Sequence, residues 1–131
     1  MKNVLILSTD VMWKIISDIA SEYGATLERD IENCGKNRGA SAGKYIFLGE
    51  FDDPQIELIA FFHELGHVTS DIGEREYFMT KLSQEGMAWE VGLTLAKKHG
   101  FAWDYDCDSM KWARKQLFTY VDDLEREVKN S

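Results

Sequence analysis

Proline is nearly missing from this chain: Pro54 is the only one in 131 residues. Such scarcity leaves no polyproline segment and no stiff proline-rich linker. Together with the long periodic stretches, it points to helix. Cysteine is scarce as well. Cys34 and Cys107 stand far apart, which excludes a disulfide framework and a paired-cysteine metal knuckle, so both are expected to be free thiols. No apolar run reaches membrane-spanning length. Val4 to Leu7 is too short for the core of a signal peptide, and no small-residue cleavage site follows it. A cytoplasmic chain is the expectation. Basic residues are outnumbered, 15 Lys and Arg against 23 Asp and Glu, giving a net charge of −8. That balance argues against binding nucleic acid or an anionic membrane surface. It is compatible with a neutral or basic protein partner.

What is present is the composition of a globular protein, 44% hydrophobic and 12% aromatic. The length is that of one domain, residues 1–131, with enough chain to build a core without staples. No repeat, low-complexity tract or linker divides it.

Histidine is also rare, with three in the chain. Two of them stand four residues apart in His63-Glu64-Leu65-Gly66-His67. On a helix, residues four apart project from one face, about 40° out of register. Two imidazoles so placed converge on one ion. Glu64, one step round, lies beside that ion and can take a proton from a water the ion has acidified. The flanks agree with a helix. Asp53 is a plausible N-cap, Pro54 fits the first helical position, and Glu57 suits the positive end of the macrodipole. Ile56 to Val68 is apolar nearly all round, the mark of a buried central helix. Two core histidines bonded to backbone would leave the spacing unexplained.

The remaining pattern predicts an α+β fold, mostly helical, with a small β-element before the motif helix. Asp10 caps a first helix running to about Tyr23 and ended by Gly24, with a stripe of Val11, Ile15, Ile16, Ile19 and Ala20. Val4 to Leu7 reads equally as a strand or a lead-in. Residues 25–51 form the β part. A weak alternation runs from Ala25 to Glu32, Cys34 to Gly43 reads as a turn or mobile loop, and Lys44 to Gly49 is the best strand. That strand should lie near the cleft, where an exposed edge could pair with an extended peptide. After a turn at Ser70 to Gly73, a second helix is expected from about Arg75 to His99, and a last one from about Ser109 to Val128. Trp112, Ala113, Leu117, Tyr120, Val121, Leu124 and Val128 form the last helix's core stripe.

Two histidines do not hold a catalytic zinc; a third protein ligand is needed, with the fourth position open. Asp71, Glu74, Glu76, Glu85, Glu90 and His99 are downstream. On the second helix's wheel, Glu85 is centred among Phe78, Leu82, Ala88, Trp89, Gly92 and Ala96. Glu90 lies about 140° away on the polar side. A carboxylate centred on a buried stripe needs a partner, and an ion on the facing helix would be one. Gly66 and Gly92 would let the two backbones approach. Glu90 is the second choice. Asp71 could be a ligand or could orient a ligating histidine. His99 reads as a C-terminal histidine on the dipole. Among the tyrosines, Tyr45, Tyr77 and Tyr105 are candidates to stabilise an oxyanion.

The run Phe61-Phe62-His63-Glu64-Leu65-Gly66-His67, followed by Glu85-Gly86-Met87-Ala88, resembles the compact gluzincin metallopeptidases. The likeness is greatest to the ImmA/IrrE type and small phage-borne relatives, and it spans about residues 44–100. It implies a minimal zincin-like domain with an antiparallel β-element, a Zn²⁺ cofactor on His63, His67 and Glu85, and Glu64 as general base. The implied activity is hydrolysis of peptide bonds in a protein or peptide substrate. A different class is a metal-bound, non-catalytic protein-binding module, an antagonist or sensor in mobile-element or toxin–antitoxin regulation.

Overall fold

The helix that carries the histidine pair packs against three other helices and two strands of a small sheet. The computed structural model describes residues 9–70 and 79–129. Its elements follow in the order α1 (Thr9–Glu22), β1 (Thr26–Arg29), α2 (Ile31–Cys34), β2 (Gly39–Ala42), β3 (Tyr45–Leu48), α3 (Pro54–Thr69), α4 (Lys81–Lys98) and α5 (Asp108–Lys129). The class is therefore α+β, mostly helical, with the sheet ahead of the motif helix. Among the described residues no helix is long and apolar enough to cross a membrane, and Cys34 and Cys107 are free thiols. Val4 to Leu7, the turn beyond Ser70, Asp71, Glu74, Glu76 and Tyr77 lie outside the described residues.

α1 buries Met12, Ile16, Ile19 and Ala20 along one face, the spacing of a helix lying on a core. Val11, expected in that stripe, is exposed, and Met12 takes its place. Thr9 is already helical, so Asp10 lies inside the helix rather than capping it. Gly24, with φ of 73°, ends it in the left-handed region, which costs a glycine little.

The sheet has the order β1-β3-β2. It is mixed rather than antiparallel: β1 runs parallel to β3, and β2 antiparallel to it. The cause is the placing of β3. β2 turns directly into β3 through Gly43 and Lys44, with Gly43 at φ 60°, a two-residue hairpin with glycine first. α2 and the loop after it carry the chain past that hairpin, so β3 is inserted between its two partners. Cys34 to Gly43 is thus not all loop, since its second half is strand β2. The strand expected to offer an edge, β3, is the central one.

α3 begins as the sequence indicates. The Asp53 carboxylate accepts from the Gln55 N–H at 2.8 Å, with Pro54 next in line. Every residue from Glu57 to Gly66 is buried. Phe61, Phe62 and Leu65 join Ile16, Ile46 and Leu48 in the main core, while Ile59 packs with Trp89 and Ala113. Burying Glu57 requires a partner. Arg29 of β1 supplies it by an ion pair and also donates to the Gly49 carbonyl at 2.6 Å. The same guanidinium lies 4.2 Å from the Trp13 ring centroid, so one side chain ties α1, the sheet and α3 together.

α4 starts at Lys81, behind Thr80, whose hydroxyl accepts from the Ser83 N–H at 3.1 Å. The expected start near Arg75 is thus several residues early: Thr80 is the cap, and an apolar period running through it concealed the boundary. α4 meets α3 at very short range. A Cβ on Gly66 would lie 2.0 Å from the Ala88 carbonyl oxygen, and one on Gly92 would lie 2.2 Å from that of Phe62. Only glycine fits either place.

Candidate metal centre

α3 carries His63 and His67 one turn apart, their ring centroids 4.7 Å from each other. The close α3–α4 approach delivers Glu85 between them. His63 Nε2 lies 2.9 Å from Glu85 Oε1, and His67 Nε2 lies 2.9 Å from Glu85 Oε2. One ligand atom from each residue falls within 4.8 Å of the other two. The expected trio is brought together, and Glu85 is only 4% exposed. Glu90 is exposed on the opposite side of α4 and takes no part. Glu64 is 7% exposed, and its Oε2 lies 4.0 Å from His63 Nε2, beside the trio without joining it. His99 is elsewhere, with Nε2 2.9 Å from the Tyr23 hydroxyl at the joint of α4 and α1.

The ring of His63 is stacked on Trp89, centroids 4.1 Å apart and planes 24° from parallel. Its Nδ1 is buried without a hydrogen-bond partner among the described residues. Among the described residues, it is the stacking on Trp89 that constrains the plane of this imidazole.

The electrostatics follow from burial and from these contacts. Burial alone would push the Glu85 carboxyl up, but hydrogen bonds from His63 and His67 and their charges outweigh it and hold the group at about 2. Burial pushes His67 down, yet its bond to Glu85 and the charges of Glu85 and Glu64 leave it raised. Glu64 is raised by burial, against the opposing charges of His63 and His67 and a hydrogen bond from Ser41. A carboxylate so disposed binds a proton more readily than one in water, which suits a general base.

The donor set tests whether a metal fits. Two imidazole nitrogens and one carboxylate, from two helices and with space on one side, are the ligands of open, catalytic zinc sites. The residues present fit such an ion.

The open side is a cleft of two lobes. One, of about 550 Å³, is lined by His67, Val68, Ser70, Lys81 and Ser41 among others. The second, of about 430 Å³, is lined by His63, Trp89, Trp112, Arg38 and Gln116. Strand β2 walls both. A Cβ on Gly39 would lie 3.3 Å from Glu64 Cγ, so β2 backs directly on that carboxylate side chain. The Gly49 N–H donates to the Arg38 carbonyl at 2.8 Å. Bonded positions alternate along an antiparallel pair, so Ala40 and Ala42 bond to β3, and the main-chain groups of Gly39 and Ser41 are directed off the free edge.

Of the tyrosines singled out from the sequence, Tyr45 is 49% and Tyr105 75% exposed, and neither lines the cleft. Among the described residues, the tyrosine that does is Tyr120 of α5, which the apolar stripe alone assigns to the core. Burial, the charges of Glu85 and Glu64 and a hydrogen bond to Glu85 push its phenol up to about 12. Its place on the stripe was legible, but the acid facing it was not.

Comparison of the chain with protein families, with curated proteins and with solved structures returns no match. The functional reading therefore rests on the site itself.

Proposed function

We propose that this chain is a zinc-dependent peptidase with a minimal zincin-like fold of the gluzincin kind, hydrolysing peptide bonds in a protein substrate. One observation carries the reading. Glu85, from a separate helix, brings a buried carboxylate to both His63 and His67, with Glu64 alongside and a cleft open above. Zinc on His63, His67 and Glu85 would supply the positive charge that acidifies a water and polarises the scissile carbonyl.

The rest falls to the chain's own groups. Glu64 takes the proton of the attacking water and gives it to the leaving amine. Ser41 of β2 lines the cleft together with that carboxylate. The free edge of β2 offers the main-chain groups of Gly39 and Ser41 to an extended peptide laid along the cleft. The reading places the protein in the cytoplasm, where Cys34 and Cys107 stay reduced.

The test is cleavage of a proteome-derived peptide library by zinc-loaded protein, read by mass spectrometry, with Glu64→Gln alongside. Cleavage should vanish in the variant while zinc is retained. Full cleavage by Glu64→Gln would remove the base from the mechanism. No cleavage by either protein, with capture of one partner by both, would favour the non-catalytic binding module.

A further inference from the structure

The lobe of the cleft beside His63 carries a charge that the metal centre does not use. Arg38, immediately before β2, lines it. The neighbouring cations are taken. Arg29 pairs with Glu57, and Lys36 lies 3.6 Å from Glu50 and 3.8 Å from Asp52. Arg38 has no such partner among the described residues, in a chain with 23 acidic and 15 basic side chains. Its main chain is held in place. The Arg38 carbonyl accepts from the Gly49 N–H, and the Asn37 N–H donates to the Glu50 carbonyl, both at 2.8 Å. The base of the side chain is thus anchored at the lobe while the guanidinium stays exposed.

The rest of the lobe suits an anion. Trp89 and Trp112 wall it, edge to face with centroids 6.3 Å apart, and Gln116 adds a neutral amide. Aromatic walls lower the local dielectric, which strengthens a charge pair. Among the described residues, the acids lining this lobe are Glu64 and Glu85, and both belong to the metal centre. A divalent ion there offsets their charges and leaves the guanidinium in excess. The net charge of −8 favours a basic partner at long range, but salt screens charges beyond about 8 Å in physiological buffer. Within the lobe, the uncompensated charge is positive.

We propose that this lobe receives a carboxylate of the peptide substrate, and that Arg38 is the specificity-determining residue that meets it. The planar guanidinium matches a carboxylate with paired N–H donors. The carboxylate is an Asp or Glu side chain near the scissile bond, or the end of the peptide itself. The inference rests on the reading of the cleft as a peptide site. It replaces, for the segment inside the cleft, the neutral or basic partner that composition alone suggests.

Pools of short peptides test it. One is rich in Asp and Glu with amidated ends, another is its Asn and Gln counterpart with amidated ends, and a last is that counterpart with free carboxyl ends. kcat/KM is measured for zinc-loaded wild type, Arg38→Gln and Lys36→Gln, the last removing an equal charge outside the cleft. Wild type should favour a carboxylate-bearing pool over the neutral one by about tenfold, the scale of a hydrogen bond to a charged group. Arg38→Gln should lose that preference with its unfolding midpoint unchanged, and Lys36→Gln should keep it. The favoured pool tells a side chain from a peptide end. No preference in wild type, or one that survives Arg38→Gln, would overturn the inference and leave the peptidase reading standing. If wild type cleaves no pool, the peptidase reading falls and binding decides the lobe, followed by the emission of Trp89 and Trp112 as each pool is added. A change with a carboxylate-bearing pool in wild type, absent in Arg38→Gln, would support the acid site. Equal changes in both proteins, or none in either, would overturn it.

Discussion

Gly66→Ala and Gly86→Ala add the same methyl group to neighbouring helices, and the structure gives them opposite signs. The Cβ of an alanine at position 66 would lie 2.0 Å from the Ala88 carbonyl oxygen, where real contacts essentially never fall below 3.0 Å. The obstacle is backbone, which cannot rotate away, so α3 and α4 must part by on the order of 1 Å. Overpacking of this kind costs about 1–3 kcal/mol, and the upper end applies to a rigid obstacle. Alanine returns about 1 kcal/mol in helix propensity, so the net loss is about 2 kcal/mol. The same parting draws Glu85 from His63 and His67, and metal sites tolerate only about 0.2 Å of error in ligand distance. Zinc affinity should fall at least tenfold. At Gly86 nothing among the described residues lies within 4 Å of the new atom, so only the propensity gain remains. That protein should be more stable by up to about 1 kcal/mol, with zinc affinity unchanged. Urea unfolding of the metal-free proteins and chelator competition for zinc measure both effects. Equal stabilities for the two variants, or wild-type zinc affinity in Gly66→Ala, would refute the close packing and its role in bringing Glu85 to the histidines.

The pH response of the site follows from the two shifted partners. Glu85 is lowered from 4.5 to about 2, so its contribution is present above 4.5 and lost as pH falls toward 2. His67 is raised from 6.5, so its contribution is full below 6.5 and lost as pH rises through the raised value. The stability difference between metal-free wild type and Glu85→Gln should therefore peak between these limits and shrink on the alkaline side; a difference flat from pH 5 to 9 would contradict this. Zinc binding must displace the His67 proton, so affinity should climb over the same alkaline range, as pH-dependent chelator titrations would reveal. Arg29→Met strips the buried Glu57 of its partner and should destabilise by about 3 kcal/mol without altering metal stoichiometry, checked by denaturant unfolding and elemental analysis. Glu90→Gln, on the exposed face of α4, should leave zinc affinity within twofold of wild type, roughly the scatter of a neutral surface change.

What the sequence disclosed and what it hid differ in range. α3 was legible because its signals are local: the Asp53 cap, Pro54 behind it, the apolar run and the histidine spacing all lie on one segment. Glu85 was legible one step further out, because a carboxylate centred on an apolar stripe is costly without a partner. Gly66 and Gly92 pointed to the helix contact that provides one. β2 was hidden because Gly39-Ala40-Ser41-Ala42 has no β-branched or aromatic residue. Its strand state comes from pairing with β3 and from packing beside Glu64, where anything larger than glycine at position 39 would crowd. The mixed sheet was hidden for a related reason, since no local pattern states which strand is inserted between which. Tyr120 and the Arg29–Glu57 pair were hidden because each is half of a contact between distant segments. A tyrosine on an apolar stripe looks like core until the acid opposite is known.

The proposed function stands on His63, His67 and Glu85 holding one metal ion together. Elemental analysis of wild type and Glu85→Ala, each reconstituted with zinc and freed of excess, tests it most directly. Wild type should hold about one zinc per chain and Glu85→Ala little. No zinc in either protein, or equal zinc in both, would contradict it.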